Sequence, residues 1–209
     1  MFTGIVAATG KITSVQPHGT GSDAGVRLTI DAGGLSMNDV AQGDSIAVNG
    51  ACMTVVEKTA NGFMIDVSRE SLRCTAGLDG LNEVNLEKAM TLAERLGGHM
   101  VSGHVDGLGV VRKFAPVAES WELVLEAPRE LAKYFAYKGS VTVNGVSLTV
   151  NRVEDTDDGC LFSINLIPHT IAVTTLKHLA PGSKVNLEVD LIARYVERML
   201  SLDTINASR

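Results

Sequence analysis

Apolar and polar residues alternate at period two through much of the chain. Val26, Leu28 and Ile30 alternate with Arg27 and Thr29, and the same rhythm runs through Ile46 and Val48 and through Phe63, Ile65 and Val67. It returns at Val141 and Val143, at Phe162, Ile164 and Leu166, and at Val185, Leu187 and Val189. Such alternation buries one face of a strand and wets the other, as in antiparallel sheet or a small closed barrel. The 21 glycines supply turns for several short strands in each half, and closure would remove exposed edges. The fold class expected is therefore all-β. Asn49-Gly50 and Asn144-Gly145 lie between alternating segments, a strong type I′ hairpin signal because both central residues need positive φ. Helical signals are few. Thr91 to Leu96 forms a short candidate that stops at Gly97-Gly98. In the tail, Ile192, Tyr195, Val196, Met199 and Leu200 recur at helical spacing behind Asp190, a suitable N-cap. One helix cannot bury that stripe alone, so the tail is expected to pack against other subunits.

The alternating segments come in two sets. VNGACMTV from Val48 returns as VNGVSLTV from Val143, 95 residues later; MFTGIV at Met1 is echoed by MVSGHV at Met100, an offset of 99. Phe63-Met64-Ile65 pairs with Phe162-Ser163-Ile164 at offset 99, and VNLE at Val84 with VNLE at Val185 at offset 101. Four matches in one order at nearly one offset indicate a duplicated domain. The period is too long for a solenoid, whose units run about 20–50 residues. A copy of roughly 95 residues can close its own core. The boundaries expected are 1–90 and 91–189 for the two copies and 190–209 for the tail helix. Two like domains offer two like pockets, which suits a protein that binds two similar molecules.

Composition narrows the class. A length of 209 residues suits two small domains. No apolar run approaches the ~18 residues of a membrane span, and MFTGIVAATGKITSV lacks a basic region followed by an apolar one. The formal charge of −6 argues against nucleic acid as partner. Cys52, Cys74 and Cys160 are odd in number and scattered, which reads as free thiols in a reducing cytoplasm; the glycosylation match Asn206-Ala207-Ser208 then carries no weight.

His99 and His104 bracket MVSG, but no CxxC or HExxH pattern accompanies them, so no metal is expected. Gly103, Gly107 and Gly109 are spaced unlike a dinucleotide loop. The differences between the copies carry more information. Aligning them pairs Cys52 with Ser147, Gly43 with Lys138, Glu70 with His169 and Ile5 with His104. Each Asn-Gly turn is followed closely by a small reactive residue, Cys52 or Ser147. Shared backbone features with differing polar side chains suggest one kind of ligand, held similarly and treated differently.

MFTGIV, VNGACMTV, GGHMVSGHVDG, YKGSVTVNGVSLTV, INLIPHT and VNLEVD, in this order and spacing, together resemble the riboflavin synthase family over essentially the whole chain. The resemblance implies two tandem six-stranded Greek-key β-barrels and a C-terminal α-helix that gathers three chains into a homotrimer. It implies that two molecules of 6,7-dimethyl-8-ribityllumazine give riboflavin and 5-amino-6-(D-ribitylamino)uracil by four-carbon transfer without a cofactor. The reaction pockets would belong to the N-barrel of one subunit and the C-barrel of its neighbour, and an association with lumazine synthase is possible. Carried over, an N-barrel pocket would comprise Gly4, Ile5 and Val6, then Cys52, Met53 and Thr54, then Asp66, Val67, Ser68, Arg69, Glu70 and Ser71. A C-barrel pocket would comprise Gly103, His104 and Val105, Lys138, Ser147, Leu148 and Thr149, then Asn165, Leu166, Ile167, Pro168, His169 and Thr170. His104 is the candidate acid/base, since an imidazole of pKa ~6.5 works in both directions near neutrality. Cys52 and Ser147 would assist addition or position water, with Lys138 and His99 supporting charge. Asn144 replaces an Asp found in some members, which excludes a carboxylate base there. The alternative is a lumazine-binding antenna without catalysis; the intact second-half motifs favour the enzyme.

Overall fold

The computed structural model describes residues 1–19, 21 and 24–207, with side chains to residue 201. The first six strands are β1 (Ala8–His18), β2 (Gly25–Asp31), β3 (Ser45–Val48), β4 (Ala51–Lys58), β5 (Gly62–Val67) and β6 (Glu83–Lys88). The second six are β7 (Gly107–Val117), β8 (Ser120–Pro128), β9 (Ser140–Val143), β10 (Val146–Thr156), β11 (Gly159–Leu166) and β12 (Lys184–Val189). Each set closes on itself, the first in the order β1-β2-β5-β4-β3-β6, the second in the same cyclic order six strands on. Every pairing within the barrels is antiparallel. The duplication extends to irregularities: bulges follow Ile12 and Val55 in the first barrel and Val111 and Val150 in the second.

The period-two positions are the two cores. Leu28, Ile30, Ile46, Val48, Phe63, Ile65, Val84 and Leu86 fill the first; Leu123, Leu125, Val141, Val143, Phe162, Ile164, Val185 and Leu187 fill the second. Both Asn-Gly pairs are type I′ turns, with φ of 48° and 83° at Asn49-Gly50 and of 49° and 79° at Asn144-Gly145. They also meet each other. A Cβ on Gly50 would fall 2.7 Å from the Gly145 nitrogen, and one on Gly145 2.8 Å from that of Gly50. The hairpin tips thus form part of the seam between barrels.

Among the described residues three short helices, α1 (Arg69–Cys74), α2 (Arg129–Ala132) and α3 (Pro168–Val173), a 3₁₀ turn at Thr175–His178 and the longer tail helix α4 (Leu191–Ala207) complete the fold. The helix expected over Thr91–Leu96 is absent. Thr91 and Glu94 close a single turn, Thr91 N–H donating to Glu94 Oε2 and Glu94 N–H to Thr91 O, and residues 91–98 are all exposed. With no face to bury, so short a segment cannot offset the cost of helix nucleation. The tail helix forms as expected, capped by Asp190, whose Oδ1 accepts from Ile192 N–H at 2.9 Å. It is tied to the second barrel by Lys133–Glu197 and Arg194–Asp106, while Ile192, Tyr195, Val196, Met199 and Leu200 stay exposed. Among the described residues no helix is long and apolar enough to cross a membrane. All three cysteines are free thiols.

Candidate functional site

The segments that lead into the barrels cross over. Phe2 and Val101 meet in an antiparallel bridge, each N–H donating to the other's carbonyl at 2.7 and 3.1 Å. Beyond it Gly4 lies against the second barrel, where Ser147 N–H donates to Gly4 O at 2.7 Å. Gly103 lies against the first, where Cys52 N–H donates to Gly103 O at 2.7 Å. Each contact occurs twice with the halves exchanged, the arrangement a local two-fold axis produces. Val6 accordingly packs on the second core and Val105 on the first. Only glycine fits the crossings: Gly4 has φ +76°, and a Cβ there would sit 2.6 Å from Ser147 Cβ; Gly103 has φ +80°, and its Cβ would sit 2.7 Å from Cys52 Cβ.

Two buried glutamates hold these segments. Glu87 accepts from Thr3 N–H, Thr3 Oγ1 and Gly4 N–H at 2.7, 2.8 and 3.0 Å. Glu188 accepts from Ser102 N–H, Ser102 Oγ and Gly103 N–H at 2.7, 2.6 and 2.9 Å. Burial pushes both carboxyls up, against the pull of those donors toward the ionised form. Neither glutamate was read from the sequence as functional. The signal was available: VNLE recurs unchanged, with Asn and Glu interleaved among core Val and Leu.

Strand alternation decides which side chains a ligand can meet. On β4, Ala51, Met53 and Val55 are buried while Cys52 and Thr54 face outward; on β10, Val146 and Val150 are buried while Ser147 and Thr149 face outward. Met53, Val67 and Leu166 lie in the cores at 7%, 2% and 1% exposure, so only their backbones remain for a ligand. Leu148 packs against the second core. The β4–β5 ladder, read from Lys58↔Phe63 to Val55↔Ile65, runs on toward Cys52 and Ser68. The β10–β11 ladder likewise passes Val150↔Ile164 toward Ser147 and Ile167. One face therefore gathers Cys52, Thr54, Asp66–Ser68 and the start of α1 beside Gly103, His104 and Val105. The other gathers Ser147, Thr149, Asn165–Ile167 and the start of α3 beside Gly4, Ile5 and Val6. Read from the sequence, each leading segment belongs beside its own barrel; in the fold each lies against the opposite one.

The histidines part company. His99 is buried, and its Nδ1 lies 2.8 Å from Ser147 Oγ. Burial lowers its pKa, with Asp190 opposing, which favours the neutral ring. Its Nε2 is buried without a protein partner. His104 is exposed, on the segment that docks on Cys52. Ile5, its counterpart, has the same backbone setting: Ile5 N–H donates to Thr3 Oγ1 and His104 N–H to Ser102 Oγ, both at 3.2 Å.

Lys138 occupies the left-handed region at φ +64°, where its counterpart Gly43 has φ +95°. Both donate their N–H to the equivalent carbonyls Val150 O and Val55 O at 2.8 Å. Lys138 Nζ reaches Asn151 Oδ1 at 3.2 Å rather than Ser147 or His99. A non-glycine residue held in this conformation is strained by about 1–2 kcal/mol. Asp66 is already engaged: Arg27 grips it through bonds of 2.7 and 2.8 Å and holds its carboxyl below the usual range. Ser68 caps α1, accepting from Ser71 N–H at 3.0 Å. Glu70 pairs with Arg73 and accepts from Cys74, raising that thiol. Arg69, Pro168 and His169 are exposed in the first turns of α1 and α3, and Asn165 accepts from Ser120 Oγ at 2.8 Å. Thr170 supplies a carbonyl to Thr174 Oγ1 at 2.6 Å.

Comparison with known proteins matches residues 3–89 and 102–190 each to the lumazine binding domain. The matches begin at Thr3 and Ser102, the residues gripped by the two glutamates. The chain is 44% identical to riboflavin synthase of Photobacterium phosphoreum, covering 97% of this chain and 90% of that one. It is 46% identical to riboflavin synthase of Mycobacterium tuberculosis, covering 96% and 98%, and 42% identical to that of Bacillus subtilis, covering 96% and 90%. Among solved structures, LumP complexed with riboflavin superposes with a TM-score of 0.76 at 27% identity, covering 90% of this chain and 99% of LumP. LumP complexed with 6,7-dimethyl-8-(1'-D-ribityl) lumazine does so at 0.76 and 26%, with the same coverage.

Proposed function

The chain belongs to the riboflavin synthase family, and from that premise we infer that it converts two molecules of 6,7-dimethyl-8-ribityllumazine into riboflavin and 5-amino-6-(D-ribitylamino)uracil. The observation that carries this reading is the doubled site. Two outward faces of one backbone design, Cys52 with Thr54 and Ser147 with Thr149, suit two copies of one substrate. They differ in the side chains that a donor and an acceptor would each need. Holding both molecules in reacting geometry could contribute roughly 7–11 kcal/mol to lowering the barrier.

What remains is removal of a proton from the C7 methyl of one lumazine and addition of a nucleophile at C7 of the other. The His99–Ser147 hydrogen bond supports a neutral imidazole that takes the hydroxyl proton on one face. On the other face, exposed His104 is the proposed acid/base, with Cys52 alongside. Lys138, strained into place on the C-barrel, is proposed to stabilise charge on a ligand that spans two chains. The exposed apolar stripe of α4 supports a homotrimer in which the N-barrel face of one chain meets the C-barrel face of its neighbour. Ending the chain before Leu191 then gives smaller species in sedimentation together with loss of turnover; full turnover by a truncated monomer would refute the arrangement. Free thiols support a cytoplasmic location. Lumazine synthase would supply the substrate, and co-sedimentation tests whether the two proteins associate.

The experiment is direct. Purified protein given the lumazine alone should yield one riboflavin and one pyrimidinedione per two substrates, resolved chromatographically. Tight lumazine binding with no riboflavin formed would favour the antenna reading.

A further inference from the structure

Two buried asparagines outside both ligand faces join the barrels. Asn85 on β6 uses its own backbone to hold the Asn49 turn of its barrel: Asn85 N–H donates to Asn49 Oδ1 at 2.8 Å, and Asn49 N–H to Asn85 O at 2.9 Å. Its side chain crosses the seam. Nδ2 donates to Asn144 O at 2.9 Å, and Oδ1 accepts from Thr175 N–H at 2.8 Å. Asn186 on β12 repeats the pattern in mirror order. Asn186 N–H donates to Asn144 Oδ1 at 2.8 Å and Asn144 N–H to Asn186 O at 2.9 Å. The Asn186 Nδ2 donates to Asn49 O at 2.9 Å and Ala76 O at 3.2 Å, and its Oδ1 accepts from Ala76 N–H at 2.7 Å. Both residues are at most 2% exposed.

Ala76 and Thr175 are equivalent points, just past α1 and α3. Each helix is closed by a threonine whose hydroxyl donates to a carbonyl four residues back, Thr75 to Ser71 O and Thr174 to Thr170 O, both at 2.6 Å. The next N–H is the one that crosses to the other barrel. Neither helix has a fully buried residue; Leu72 and Ile171 pack part-buried on the cores, one apolar side chain each, and the crossing N–H fixes the far end. We propose that Asn186 positions α1 of the N-barrel face and Asn85 positions α3 of the C-barrel face, so that each ligand site is set by an asparagine of the opposite barrel. The two sites are then coupled in geometry: a shift of one barrel against the other moves both helices at once. This rests on the assignment of α1 and α3 to the ligand faces only for its effect on turnover, not for the crossed anchoring itself.

The test uses the full chain without ligand and reads backbone hydrogen exchange in peptides covering residues 69–76 and 168–175. Asn186→Ala should speed exchange about tenfold or more in 69–76 and leave 168–175 as it was; Asn85→Ala should do the reverse. Acceleration in the variant's own barrel, or equally in both peptides, would overturn the proposal. Should either alanine variant fail to fold, Thr175→Pro deletes the donor while sparing the asparagine. Thr175 opens a 3₁₀ turn behind extended Thr174, a setting that accepts proline, and its own hydroxyl is buried without a partner. That variant should speed exchange in 168–174, and unchanged exchange there would equally overturn the anchoring. In the same variants kcat should fall with little change in KM for the lumazine. Crossed exchange with unaltered kcat would keep the anchoring and remove α1 and α3 from the site.

Discussion

Gly43 and Lys138 occupy one structural position twice, at φ +95° and +64°, and this makes the strain at Lys138 measurable. A Cβ added at Gly43 meets nothing within 4 Å, so Gly43→Ala reports the backbone cost of about 1–2 kcal/mol, offset by about 0.5–1 kcal/mol because alanine has less freedom to lose on folding. For a chain of this size each kcal/mol moves Tm by about 2–4 °C, so the net loss of about 0.5–1 kcal/mol places the variant about 1–4 °C below the parent. At position 138 the comparison is between Lys138→Ala and Lys138→Gly. Both lose the exposed contacts to Asn151 and the Tyr137 ring, worth at most a few tenths of a kcal/mol, and only glycine relieves the φ. Glycine's greater freedom in the unfolded chain offsets about 0.5–1 kcal/mol of the gain. Lys138→Gly should therefore stand above Lys138→Ala by about 0.5–1 kcal/mol in calorimetry or urea unfolding, and yet turn over lumazine as poorly as the alanine variant. Equal stabilities would refute the strain argument. Full turnover in Lys138→Gly would refute the idea that a strained lysine is kept for its side chain.

Two further outcomes follow from the geometry. Glu83 on β6 bonds to His178 at 2.6 Å and Lys177 at 2.9 Å of the second half, and these partners, His178 first, hold its carboxyl down at about 2. A depressed carboxyl stabilises the fold above its unfolded pKa near 4.5, and this stability is lost as pH falls through about 2; in Glu83→Gln the decline in stability between pH 5 and 2 should flatten by about 1 kcal/mol after screening, and an unchanged slope would count against the bridge. Gly103→Ala should lose about 2–4 kcal/mol, from φ +80° and from a Cβ 2.7 Å from Cys52 Cβ; because the displaced segment carries His104, turnover should fall further than stability explains, and near-parental turnover would remove that segment from the site.

Much of this molecule was legible in its residues one after another. Period two named the core positions, because a side chain's face on a strand depends only on parity along the chain. The Asn-Gly pairs named their turns, because positive φ at both positions is a local requirement. The repeat told of two like barrels, and the Asp190 cap with its apolar stripe told of the tail helix. Thr91–Leu96 misled because helical composition is local whereas burial, which that segment lacks, is not. The candidate site was legible only as a set of residues. Which leading segment serves which barrel depends on contacts such as Gly4 with Ser147 and Gly103 with Cys52. The glutamates that hold these segments lie 84 and 86 positions away from Thr3 and Ser102. In a duplicated chain both assignments satisfy the same local pattern, since either half offers the same strand, turn and glycine. Only closure of the barrels and the fit of their seam selects the crossed one, where the glycines allow close approach and Glu87, Glu188, Asn85 and Asn186 find their partners.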